Sequence, residues 1–152
     1  MSTAKAVLVG GGIAATLDKA YACIANGARA GLTPEWVKQS VASGWLGKAA
    51  FDGGWPAAML GLASHYAILF VAAWLYFQAS RRVPVLSRQA VACGAVFGAG
   101  IYLFMNFVVL PLSAFPFHLT YPLMRLVEGW STHALFVGVP IALAVRRFAP
   151  PA

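Results

Sequence analysis

Apolar residues run nearly unbroken through four stretches of this chain, with polar residues gathered at their ends. A membrane-crossing helix needs about 20 apolar residues. Four stretches meet that length: about 5–26, 56–80, 89–112 and 128–145. Each predicts a helix. A fifth, shorter segment over about 34–45 has a different pattern. Thr33-Pro34-Glu35 reads as a helix start, with a threonine cap, proline at the first helical position and an acid in the first turn. Trp36, Val37, Ser40, Val41, Gly44 and Trp45 then recur at helical spacing, with Lys38, Gln39 and Ser43 between them. Such a helix, short and tryptophan-bearing, belongs at a membrane–water interface.

The expected fold is therefore all-α: an integral membrane four-helix bundle with one interfacial amphipathic helix, in a single domain over 1–152. Composition agrees. The chain is 61% hydrophobic and 10% charged, where a soluble domain carries about 25% charged residues. Its mean hydropathy is +0.75. The net charge of +7 does not imply nucleic acid, because the basic residues stand at the ends of apolar runs and form no aromatic-interleaved patch. Cys23 and Cys93 are the two cysteines; they fit no disulfide or zinc framework and read as small packing residues.

The first stretch also resembles a secretory signal, with Lys5, an apolar run and Ala20-Tyr21-Ala22. Asp18 and Lys19 fit that reading poorly, so a retained helix is expected. Lysine and arginine counts set the orientation. Lys5, Arg81, Arg82, Arg88, Arg146 and Arg147 share one side. Arg29, Lys38, Lys48 and Arg125 share the other, offset by Glu35, Asp52 and Glu128. Both termini are accordingly expected in the cytoplasm. Trp36, Trp45, Trp55, Phe115, Phe117, Tyr121 and Trp130 would form an outer aromatic belt.

Two pairs of matching signals suggest that the chain is two related hairpins. Gly61 to His65 opens a run that ends at Arg81-Arg82, and Gly129 to His133 opens one that ends at Arg146-Arg147. In the preceding helices, Gly12-Ile13 precedes Asp18 as Gly100-Ile101 precedes Asn106. At 1.5 Å per residue, Asp18 and His133 lie ~20 Å from their cytoplasmic basic markers, His65 ~24 Å and Asn106 ~27 Å. All four fall in the outer half of a core roughly 30 Å thick. Polar groups at that depth must face the bundle interior or a water-filled cavity.

Asp18, His65, Asn106 and His133 are thus the expected site, with Ser64, Tyr66 and Thr132 near enough in sequence to support it. Three readings stand. In the first, the site handles protons or a metal ion. Imidazole titrates near neutral pH beside an Asp18 counter-charge, or His65 and His133 ligate a metal with the carboxylate. In the second, the polar core only fixes packing in a structural or accessory subunit. In the third, His65 and His133 hold haem b axially for electron transfer, with Met105 as a substitute ligand. No nucleophile with its base, phosphate loop or protease motif is present, so enzyme chemistry has no support. Arg125 and Glu128 stand one helical turn apart and would pair. Gly94-x-x-x-Gly98 offers a close-packing face. Pairing of two copies, or membership of a larger membrane complex, is open.

The chain resembles small bacterial inner-membrane proteins of the YagU-like kind. His65 leading into the second span carries the resemblance, with Leu110-Pro111-Leu112-Ser113 and with His133-Ala134-Leu135-Phe136-Val137 leading into Arg146-Arg147. It covers about 56–147 and departs in the first loop, where this chain has the tryptophan-rich helix. The resemblance implies a bacterial inner membrane and four spans, and no activity.

Overall fold

The structure, a computed structural model, describes residues 3–118, 120 and 122–148. Tyr121 of the expected aromatic belt lies outside the described residues. Among the described residues six helices follow one another: α1 (Thr3–Ala30), α2 (Pro34–Leu46), α3 (Gly54–Arg82), α4 (Val85–Arg88), α5 (Ala90–Leu112) and α6 (Leu123–Phe148). A 3-10 turn, Gly47–Phe51, joins α2 to α3. Among the described residues there is no strand. Four helices, α1, α3, α5 and α6, are long and apolar enough to cross a membrane. Their outward faces carry exposed large apolar side chains such as Leu8, Val71, Trp74 and Val96, which water would penalise and hydrocarbon accepts.

Local chemistry sets the helix ends. The α1 helix stops at Gly31, whose φ of 64° is the left-handed conformation, with its N–H bonded to Gly27 O at 2.9 Å. The α2 helix starts where expected: Thr33 Oγ1 accepts from the Trp36 N–H at 3.1 Å, and Pro34 opens the first turn. Its inward face is not the expected one. Val37, Gln39, Ala42 and Ser43 are buried, Trp45 is exposed, and Gln39 Nε2 donates to Gly54 O at 3.1 Å. The reason is Gly61 on α3, whose bare Cα lies against the Lys38 carbonyl and the Ala42 amide. Backbone contact, rather than an apolar stripe, decides how α2 sits on α3.

Helix packing is uneven. The α1 helix packs on both α3 and α6, while α5 packs mainly on α6. Gly10 meets Ile141 and Ala144 of α6, and Gly11 meets Leu69 and Phe70 of α3. On the other side of α6, Gly94 and Gly98 of α5 press on Gly138, Ala142 and the His133 carbonyl. The glycine face of α5 is thus used inside the chain. The buried core joins Ala6, Ala14 and Ala15 of α1 to Leu69, Ala72, Ala73 and Tyr76 of α3 and to Val137, Ile141 and Val145 of α6.

Both α5 and α6 contain a stretch wound with i→i+5 hydrogen bonds, Met105–Val109 and His133–Gly138. Each ends two residues before a proline, Pro111 or Pro140. Proline lacks an N–H and crowds the carbonyl four residues back. One wider turn moves that carbonyl aside; α6 then runs on past Pro140 to Phe148, whereas α5 ends at Leu112, one residue beyond Pro111. Such turns often coincide with functional sites. Here they carry Asn106 and His133.

Candidate functional site

Three of the four expected residues meet directly. Asp18 projects from α1 between α3 and α6. Its Oδ2 lies 3.7 Å from His65 Nε2, and its Oδ1 lies 3.7 Å from His133 Nδ1. Asp18 and His65 are buried, and His133 is half-buried. Each facing ring nitrogen has a second, shorter contact with a main-chain oxygen. His65 Nε2–H donates to Ala15 O at 3.1 Å, and His133 Nδ1–H donates to Gly129 O at 3.0 Å. A carbonyl only accepts, so these contacts assign the proton-bearing nitrogen of each neutral ring. The other nitrogen, Nδ1 of His65 and Nε2 of His133, then carries the lone pair.

Lys19 follows Asp18 on α1. It is buried and within electrostatic reach of both Asp18 and His65. The sequence signal was available, because a lysine beside an aspartate in mid-span is as anomalous as the aspartate itself.

Asn106 stands on α5 and shares a cavity wall with Asp18 and His133. Its Nδ2 donates to Tyr102 O at 2.9 Å. The supporting residues divide. Thr132 lines the cavity and donates to Glu128 O at 2.7 Å. Ser64 turns to α2, accepting from Trp45 Nε1 at 3.2 Å. The Tyr66 hydroxyl lies 2.8 Å from Thr16 Oγ1, while its ring stands edge-on to His65 at 6.1 Å.

The cavity is about 600 Å³ and opens at the end where α1 finishes and α6 begins. Asp18 and His133 lie at its inner end. At its mouth, Glu128 binds the Arg29 guanidinium and accepts from the Tyr21 hydroxyl. This corrects the expected Arg125–Glu128 pair: the partner of Glu128 is 99 residues away, on α1. Tyr102 lies over His133 with ring centroids 5.1 Å apart. Below the cluster the wall is apolar: Ala14, Ala15, Leu69, Val137 and Ile141 are all buried. The polar site is therefore reached from one side.

The donor set does not favour a metal. Among the described residues no three His, Cys, Asp or Glu side chains form a group able to hold one. The two imidazole nitrogens nearest Asp18 are N–H donors to main-chain oxygens, so they present protons rather than lone pairs to the space between them. Haem fits no better, because the Asp18 carboxylate occupies the gap between the rings. No known family, characterised protein or solved structure matches this chain.

Proposed function

We propose that the chain is a multi-pass protein of a bacterial inner membrane that binds and exchanges protons at Asp18, His65, His133 and Lys19. In this reading the chain comprises two related hairpins, with both termini cytoplasmic and α2 lying in the outer interface. The likeness to YagU-like proteins is part of the same proposal and supplies no activity.

One observation carries the proposal: both oxygens of a single carboxylate face imidazoles on different helices at an equal 3.7 Å, at the end of a solvent-sized cavity. An uncompensated charge at that depth costs roughly 2.5–3.5 kcal/mol or more. Ionised Asp18 therefore requires one proton on one of its three basic neighbours. Which base carries it is the variable that the cavity can read. The apolar wall beneath supports exchange with one side only, as in a sensor or a coupling subunit.

The test is a titration of side-chain ¹⁵N-histidine signals in nanodiscs. Asp18→Asn is expected to move the curves of His65 and His133 together and to leave exposed His118 unchanged. Independent, unmoved curves would end the proton reading. In liposomes the protein should add no proton leak over protein-free vesicles.

The second reading, a structural or accessory subunit, has its own support. Both proton-bearing ring nitrogens are already engaged by main-chain carbonyls, as packing residues would be. If alanine at either histidine lowers stability while the remaining imidazole titrates as before, the second reading holds.

A further inference from the structure

We propose that the cavity holds the headgroup of an anionic membrane lipid, with Arg125 on its phosphate and its acyl chains leaving sideways between α1 and α5. The inference rests on the shape and charge of the cavity, and it does not require the proton reading.

The shape comes from the packing. The α6 helix forms the back wall, with Gly129, Thr132 and His133 toward the cavity. The α1 and α5 helices form the sides. Each packs on α6, and they make no extended contact with each other. The polar cleft between them consequently has a lateral opening as well as an end. Exposed Leu17 and Ile24 on α1 and Leu103 on α5 stand beside the lining residues of their helices. In a bilayer this opening faces lipid. A soluble ligand has no use for apolar side walls, whereas a lipid places its head in the cleft and its chains along them.

The charge comes from counting partners. The lining carries Asp18, Glu128, Arg29 and Arg125. Glu128 is engaged by Arg29 and Tyr21, and Asp18 lies between two imidazoles and near Lys19. Of the charged side chains that line the cavity, Arg125 makes no salt bridge among the described residues; it lies within electrostatic reach of Glu128 and is exposed at the rim. Arg125 stands in the first turn of a 26-residue helix, where the helix dipole adds to its attraction for an anion. A planar guanidinium suits a phosphate. Asn26 and Thr132 in the wall and exposed Thr120 near the mouth offer partners to hydroxyls. Both acids are compensated, which disfavours an ammonium-bearing head. A phosphate with a polyol fits this lining best.

The experiment is native mass spectrometry of the intact protein released from mixed micelles. These contain equimolar phosphatidylglycerol, phosphatidylethanolamine and phosphatidylcholine with identical chains. The protein is expected to retain phosphatidylglycerol over the other two by about tenfold or more, the range of a charge-assisted contact. Arg125→Gln should abolish the preference at an unchanged melting temperature. Arg88→Gln, an exposed cation at the opposite end, should leave it intact. Equal retention of the three lipids, or an equal loss in both variants, overturns the proposal. So does binding of glycerol 3-phosphate as tight as that of the lipid, which would make the site one for a soluble anion. His65→Ala separates the two readings: His65 is no part of the cavity lining, so its loss disrupts the paired titration and leaves lipid preference in place.

Discussion

Gly98→Ala should destabilise the protein, although alanine is the better helix former. A β-carbon at Gly98 would press on the His133 carbonyl oxygen, 2.7 Å from Gly138 N and 2.8 Å from the His133 carbonyl carbon. All three are main-chain atoms in the wide turn of α6, so none can rotate away as a side-chain tip would. The helices must separate, and α5 has little other packing to retain it. Overpacking of this kind costs about 1–3 kcal/mol, against about 1 kcal/mol gained from helix propensity.

Gly100 provides the internal control. It lies on the same helix, and a β-carbon there meets nothing within 4 Å. Gly100→Ala should therefore stabilise by about 0.5–1 kcal/mol. The two alanines are expected to differ by roughly 1–3 kcal/mol, or about 2–12 °C in melting temperature at this chain length. Thermal unfolding in one detergent, monitored by far-ultraviolet circular dichroism, measures the gap directly. Because Gly98 abuts the His133 carbonyl, Gly98→Ala should also shift the His133 side-chain signal while leaving His118 unmoved. If Gly98→Ala proves as stable as Gly100→Ala, the close α5–α6 contact is wrong, and with it the placement of His133.

Three further outcomes follow from particular contacts. Double-mutant cycles pairing Asp18→Asn with His65→Ala, and Asp18→Asn with His133→Ala, should each show a coupling of about 0.6–2 kcal/mol. Pairing with distant Thr33→Ala should be additive, and additive histidine cycles would mean that the cluster does not exist. Thr33→Ala itself removes the cap of α2 and should cost about 1 kcal/mol, with faster hydrogen exchange confined to the start of that helix; unchanged exchange would contradict the cap. Glu128→Ala should hardly alter the melting temperature, since the pair it forms is exposed, but should speed maleimide labelling of a cysteine placed at cavity-lining Ala22. An unchanged labelling rate would show that Arg29, Tyr21 and Glu128 do not narrow the mouth.

Depth along a helix was readable from sequence, and direction around it was not. The rise per residue places Asp18, His65 and His133 at like heights once their basic markers are known, and the structure brings these three side chains together. Ser64 and Tyr66 stand at nearly the same height, yet each lies about 100° round α3 from His65. Ser64 meets Trp45, and Tyr66 meets Thr16. The same limit explains α2, whose periodicity was legible while its buried face was decided by the bare backbone at Gly61. The Arg29–Glu128 contact links residues that no local pattern connects. The wide turns of α5 and α6 did leave a signal, a proline inside each apolar run, near the end of α5 and in the middle of α6, but only proline geometry turns that signal into an i→i+5 turn.

The unequal packing of α1 and α5 gives the cluster its asymmetry. A strict two-fold arrangement would place equal residues, each with its own imidazole, on α1 and α5. Instead α1 touches both histidine-bearing helices, and α5 rests mainly on one of them. The residue between the two histidines is the acid, Asp18, and the outlying helix contributes the amide Asn106 to the cavity wall. A second carboxylate there would add a negative charge with His133 already engaged by Asp18. The amide lines the same cavity without that charge. One acid thus serves two imidazoles, and the imidazoles differ in access: His133 borders the cavity, while His65 does not. In the proposed proton reading, a proton arriving from the open side meets His133 first, while buried His65 lies behind Asp18 with Lys19 nearby. Equal distances on either side of one carboxylate, combined with unequal exposure to water, give the cluster a direction that a symmetric pair could not have.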